Sequence, residues 1–370
     1  MMKYIVYIGF ALFALAMVLL EAFLKDKKIR FLPFAALLLG FFALAVLKSK
    51  TVGTDSYGYS VMYNEAKSKT FSEVFKENKI EIGFYGLAYL FSAILKVPEI
   101  LFDIFCFALI CGSLLLSFYK NENRTVYLAV FLFVGFFCMS FSGLRQSISI
   151  SIATLAFTIL FDDSRTKKYP SKLIKYLLLI AIASLFHRSA LLLFAVPLLS
   201  LIFIDDYAIP YFPILVLLFS PLMFGRLLIL SSLVTKEPSN NAVFDSRISV
   251  TLIGEVVFLI LFYVLFFTQI GKKIRAKINV GDFEYAKKDS NYLILLYLSC
   301  LFVAFNTGST VITRISMFFF IGPAYYLVKM ITTLKNKKMR IAYIGFLTLF
   351  LGLYFVYSTP TLGLTPYAFR

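Results

Sequence analysis

The sequence contains no tryptophan, a single histidine, four cysteines, and only 15% charged residues over 370 positions. Each scarcity excludes something. A soluble chain carries about 25% charged residues, whereas this one is 60% hydrophobic with a mean hydropathy of +0.86. Without tryptophan, tyrosine has to supply any aromatic belt at a membrane surface. Cys106, Cys111, Cys138 and Cys300 all lie in apolar runs. They form no metal-type spacing, so they read as small core residues rather than ligands or disulfide partners. There is also no Ser/His/Asp constellation, no phosphate-cradling glycine loop and no DxD-like pair to hold a divalent ion. Asp162-Asp163 and Asp205-Asp206 stand beside loops and read as solvated loop ends. A metal-dependent cytoplasmic transferase is disfavoured, and neither a metal nor a cofactor is expected.

What the chain has instead is apolar runs from end to end. In a bilayer such runs must be helices or closed barrels, and these are too long and too weakly alternating for barrel strands. The expected fold is all-α, a polytopic membrane protein with about ten full crossings plus re-entrant or interfacial helices. Helices are predicted near 4–24, 31–47, 100–118, 126–142, 147–161, 208–231, 251–270, 291–306, 315–332 and 341–357. "SISISIA" at 147–153 alternates like a strand but reads as helix, because a lone strand in lipid leaves its backbone unpaired. The N-terminal run carries a weak signal-peptide look but continues to Leu24, which favours a retained helix. A net charge of +17 invites a nucleic-acid reading. Its location argues otherwise, since the basic residues lie in short clusters between apolar runs. No nucleic-acid partner is expected.

Placing the basic loops at 25–30, 164–175, 271–280 and 334–340 on the cytoplasmic side constrains the threading. Residues 176–204, a 29-residue apolar run interrupted by His187-Arg188, must then leave and return on one side. Two half-length helices of 11 and 16 residues meeting at His187-Arg188 would satisfy this, as a re-entrant pair lining a polar cavity. Residues 48–99 form an extracytoplasmic loop whose 80–95 segment reads as an interfacial helix. With no repeat or linker, residues 1–370 read as one transmembrane domain.

Ionisable groups at membrane depth are costly and mark functional sites. Arg145 (with Gln146 beside it), His187-Arg188 and Arg314 all map to the outer side, as do Asp55 and Glu81 in the outer loop. Each arginine precedes or opens a helix running inward. Helix N-termini attract anions, and a guanidinium there makes a bidentate phosphate receptor. Arg145, Gln146, Arg188 and Arg314 are therefore candidate diphosphate ligands, with Ser147, Ser189 and Ser316 as further hydroxyl donors. A transferred hydroxyl needs a base. Asp55, Glu81 and His187 are the candidates, with Asp55 favoured because Gly53 lets the chain turn sharply.

Five segments occur in order: "VGTDSYGY" (52–59), "EIGFYGLAYLFS" (81–92), "FSGLRQSISISIA" (141–153), "SLFHRSALL" (184–192) and "ITRISMFF" (312–319). Together they resemble the EpsG-like family of exopolysaccharide and capsule polymerases, which are Wzy-type membrane proteins. One departure is "EIGF" at 81–84, where the family commonly shows Glu-Pro-Gly-Phe/Tyr. The resemblance implies an enzyme similar to the glycosyltransferases built wholly of transmembrane helices. It would join repeat units carried on a polyprenyl (undecaprenyl-type) diphosphate, as donor and acceptor, at the outer face of the bacterial cytoplasmic membrane. It also implies work alongside other polysaccharide-assembly proteins, such as a flippase or a chain-length regulator. Two rivals stand beside it: a flippase for lipid-linked glycans, and a membrane-bound O-acyltransferase using His187 with Asn306.

Overall fold

A computed structural model describes residues 4–26, 28–70, 72–73, 81–161, 169–202, 273, 287–304 and 314–370. Helices dominate the described residues, and Lys48 and Phe369 form an isolated antiparallel β-bridge. The chain divides into two compact units, residues 1–194 with 337–370, and residues 195–336.

The first unit holds α1 (Ile5–Phe23), α2 (Phe31–Leu47), α3 (Ser56–Ala66), α4 (Ile82–Tyr89, continued by a π turn to Ile94), α5 (Glu99–Phe118), α6 (Arg124–Ser142), α7 (Leu144–Leu160), α8 (Tyr169–Phe186) and all but the last residue of a 3-10 segment, Arg188–Ala195. It also holds the later helix Lys337–Ser358. The second unit contributes α9 (Val196–Ile202), α10 (Lys287–Ala304) and α11 (Ile321–Thr333). With α11 placed, Lys337–Ser358 becomes α12. Helices α1, α5, α6, α8 and α12 are long and apolar enough to span a bilayer. This is a multi-pass, all-α membrane protein. The expected helices at 208–231 and 251–270 lie outside the described residues.

In the first unit, α6 runs through the middle and is buried almost throughout. It bends at Gly135, whose φ of 134° interrupts the helix within a π turn, Leu132–Phe136. Phenylalanine builds this core. Phe137 is fully buried and meets Phe141, Phe355, Phe10 and Phe41 at ring-centroid distances of 4.4, 4.8, 5.0 and 5.5 Å. Such offset and edge-on pairs each add about 0.5–1.5 kcal/mol beyond area burial. In the second unit, Tyr292 of α10 stacks on Tyr325 of α11 at 4.0 Å.

Helices α7 and α8 form an antiparallel pair. Ser149 Oγ donates to the Ala183 carbonyl at 2.9 Å, and Phe157 packs on Tyr176 at 5.7 Å. "SISISIA" is helical, as lipid demands. Its serines bond backbone carbonyls, Ser147 to Gly143 and Ser151 to Ile148, so their hydroxyls cost little in a dry core. The pairing puts the beginning of α7 and the end of α8 at one end of the unit.

Helix α8 is longer than the expected 11-residue half-helix. It starts at Tyr169 and spans 18 residues, because the helix takes in Lys172 and Lys175, which a hydropathy reading sets aside as loop. Long apolar stems let lysines sit at helix ends. The helix stops at Phe186. After His187 the chain turns back, and the Tyr176 hydroxyl donates to the Leu193 carbonyl at 2.7 Å, which sets the 3-10 segment alongside α8.

Candidate active site

The chemistry collects where α4, α7 and α8 meet. Glu81 stands at the N-cap of α4 and is 8% exposed. Its helix reaches α8 through Gly83: a Cβ there would lie 2.9 Å from Leu185 Cβ and 3.0 Å from the Leu185 carbonyl oxygen. Only glycine permits that approach, and it carries Glu81 to the last turn of α8. One Glu81 oxygen, Oε1, lies 2.8 Å from His187 Nδ1. The other, Oε2, accepts from Arg145 Nη1.

Arg145 sits in the first turn of α7, just after the break at Gly143. Its guanidinium packs over the Tyr59 ring at 5.6 Å and the Tyr85 ring at 5.9 Å. Tyr59 in turn packs edge-on against the fully buried Phe84 at 5.3 Å. Burial pushes the Tyr59 phenol above its ordinary range, against the downward pull of Arg145. The result is a carboxylate held between a guanidinium and an imidazole inside an aromatic wall. Such buried pairs depend on all their members, and removing one partner strands charge at a cost of about 3–5 kcal/mol.

With Nδ1–H donating to Glu81, the imidazole presents Nε2 as its basic atom. Nε2 faces Ser189 Oγ at 3.4 Å, longer than a good hydrogen bond. A carboxylate–imidazole pair with its far nitrogen directed at a hydroxyl is the arrangement that general-base chemistry uses.

The chain matches the model of the EpsG family over residues 29–369, a span that contains every residue of this cluster. It belongs to the EpsG family. That family comprises exopolysaccharide polymerases of the Wzy type. Neither the curated proteins nor the solved structures contain a match.

Among the sequence-derived candidates of this EpsG protein, Glu81, His187 and Arg145 are in direct contact. Asp55 is half-buried at the N-cap of α3 and accepts from Thr54 Oγ1 at 3.2 Å. Its turn requires glycine at 53, where φ is +96° and a Cβ would come within 2.1 Å of the Phe141 carbonyl oxygen. Gln146 is buried in α7, 2% exposed. Ser147 is committed to the Gly143 carbonyl at 3.0 Å and is not placed to bond an anion. Arg188 is half-buried directly beside His187, and among the described residues its side chain has no hydrogen bond or ion pair. Arg314 belongs to the second unit, in the short helical turn before Met317–Phe319, where Ser316 is also buried. Asn306 lies outside the described residues.

Tyr59 and Tyr85 were missed as site residues. Both sit inside the motif segments "VGTDSYGY" and "EIGFYG", where an aromatic close to an acid could have been read as a wall for a cation.

Proposed function

We propose that the chain polymerises repeat units carried on polyprenyl diphosphate at the outer face of the cytoplasmic membrane, with His187 as the base. The single observation that carries this reading is Glu81 bridging Arg145 and His187 while His187 Nε2 faces a hydroxyl position. Glu81 fixes the imidazole tautomer and stabilises the imidazolium that forms. Arg145 holds Glu81 in place, acting through it as a positioning residue. In the transfer, His187 Nε2 takes the proton of the acceptor sugar's hydroxyl, and that oxygen bonds to the donor's anomeric carbon. The bond from this carbon to the diphosphate oxygen breaks, and its electron pair leaves with the polyprenyl diphosphate.

That leaving group gains charge and needs fixed cations. Arg188 is the cation nearest in sequence to the base and has no side-chain partner among the described residues, so it is assigned to the diphosphate. Arg314, in the second unit, stays a candidate diphosphate ligand on the sequence argument alone, from its place at the opening of a helix. Neither role requires a metal. Asp55 takes a positioning role at the acceptor side in this scheme.

The test is a deletion strain complemented with His187→Ala or Glu81→Gln, followed by analysis of the lipid-linked pool. Single repeat units should accumulate on the outer leaflet with no polymer. Accumulation on the inner leaflet would point to a flippase, and a long but undecorated polymer to an acyltransferase. Full-length polymer from His187→Ala would sink the assignment of the base.

A further inference from the structure

Next to the Glu81 cluster, and sharing Tyr59 with it, lies a second polar crevice. It is lined by Lys48, Lys50, Ser56, Tyr59, Asp103 and Arg370, with Phe141 and Leu144 among its apolar walls. Its interior holds about 20 Å³, room for one or two atoms the size of a water oxygen. The charges do not balance. Lys50 pairs with Glu99 and also with Asp103 at 2.9 Å, and Arg370 pairs with Asp103. Two carboxylates thus serve two cations, and Lys48 is left over.

Lys48 Nζ donates to the Val52 carbonyl at 3.0 Å and to Ser56 Oγ at 2.5 Å, and stands 5.9 Å from the Phe141 ring centre. Ser56 Oγ is fully occupied, since it also donates toward the Val52 and Phe141 carbonyls. An ammonium has three donors, so one N–H remains, with no carboxylate within ion-pair distance among the described residues. Burial pushes the amine down to about 8. Neutral oxygens alone do not repay the desolvation of a charge. A tether between residues 48 and 56 would need only a neutral donor such as glutamine.

We propose that the Lys48 crevice is a second oxyanion subsite, separate from Arg188, which receives either a phosphate of a second polyprenyl diphosphate or the carboxylate of an acidic sugar in the repeat unit. The proposal rests on the polymerase reading, which requires two glycan-bearing lipids bound side by side. The crevice volume suits the oxygens of one such group, and Lys48 supplies the missing charge with Lys50 and Arg370 flanking it. Tyr59 lies between this subsite and the Arg145–Glu81 pair, so an anion seated here would hold its glycan beside the base.

The test uses the full chain in nanodiscs of phosphatidylcholine, with farnesyl diphosphate and glucuronate as probes. For the wild-type protein, acylation of Lys48 by a succinimidyl ester is followed by mass spectrometry, with Lys120 as reference. One of the two probes should slow labelling of Lys48 at least fivefold. Protection by farnesyl diphosphate identifies the phosphate source, and protection by glucuronate the acidic sugar. If neither protects, the subsite is overturned. Binding to Lys48→Met should correspondingly fall at least tenfold for the protecting probe and be restored in part by Lys48→Arg. The Arg188→Ala protein separates the two assignments. If farnesyl diphosphate binds it as it binds wild type while Lys48 remains protected, the diphosphate assignment of Arg188 fails and the Lys48 subsite stands. If Lys48 is unprotected while Arg188→Ala loses binding, the reverse holds.

Discussion

The Glu81 cluster and the Lys48 crevice share a tyrosine but solve opposite electrostatic problems. In the first, one carboxylate is divided between a guanidinium and an imidazole, so the charge is satisfied internally and the geometry is locked. In the second, two carboxylates are taken by Lys50 and Arg370, and an ammonium is left bonded to neutral oxygens. A closed network positions groups, whereas an open one waits for a partner. The same contrast separates the arginines: Arg145 is committed to Glu81, and Arg188 has no partner among the described residues.

The largest effect should come from opening the closed network. Glu81→Gln removes both the orienting charge for His187 and the partner of Arg145, so polymer synthesis should drop by at least about a hundredfold. Polymer yield per cell, measured with protein level, checks this. Next comes the open arginine. Arg188→Ala should lower turnover by about ten- to a hundredfold, the worth of a charge-assisted bond to phosphate. Arg188→Lys should recover part of it, and equal activity of the alanine variant would remove Arg188 from the site.

A smaller loss is expected from Gly83→Ala. Its Cβ would push α4 from Leu185 and separate Glu81 from His187, giving about a tenfold loss with expression near normal. The gentlest test is pH. Lys48 is held down to about 8 by burial, opposed by the charges of Asp103 and Glu99 and reinforced by Lys50 and Arg370. Below pH 8 the amine is charged, and above it the charge is lost. Anion protection of Lys48 should therefore weaken severalfold between pH 7 and pH 9, and protection that is flat with pH would close off the charge argument.

Much of the fold was legible because lipid leaves few choices. The apolar runs at 31–47 and 100–118 became helices Phe31–Leu47 and Glu99–Phe118 nearly unchanged. Legibility failed where polar residues join a helix or the helix is interrupted. Helix α8 takes in Lys172 and Lys175, and the predicted helix 315–332 is broken by a 3-10 turn, Met317–Phe319, between a short helical turn and α11. The site was legible as a set of residues but not as a network. Glu81 and His187 stand 106 positions apart, and their meeting depends on one glycine touching Leu185, which periodicity does not encode. Three arginines looked alike in sequence because each begins a helix. Their partners, rather than their positions, separate Arg145 from Arg188.

One backbone feature bears on how the protein is made. Gly53 N–H bonds to the Gly363 carbonyl, Ser49 N–H to that of Ala368, and Arg370 N–H to that of Leu47. The loop carrying Asp55 is thus latched by residues emerging from the ribosome more than 300 positions later. During translation that loop must wait, open, until the segment around 363–370 has been delivered. Nascent chains stalled before residue 363 should accordingly be far easier to cleave near Gly53 than the finished protein.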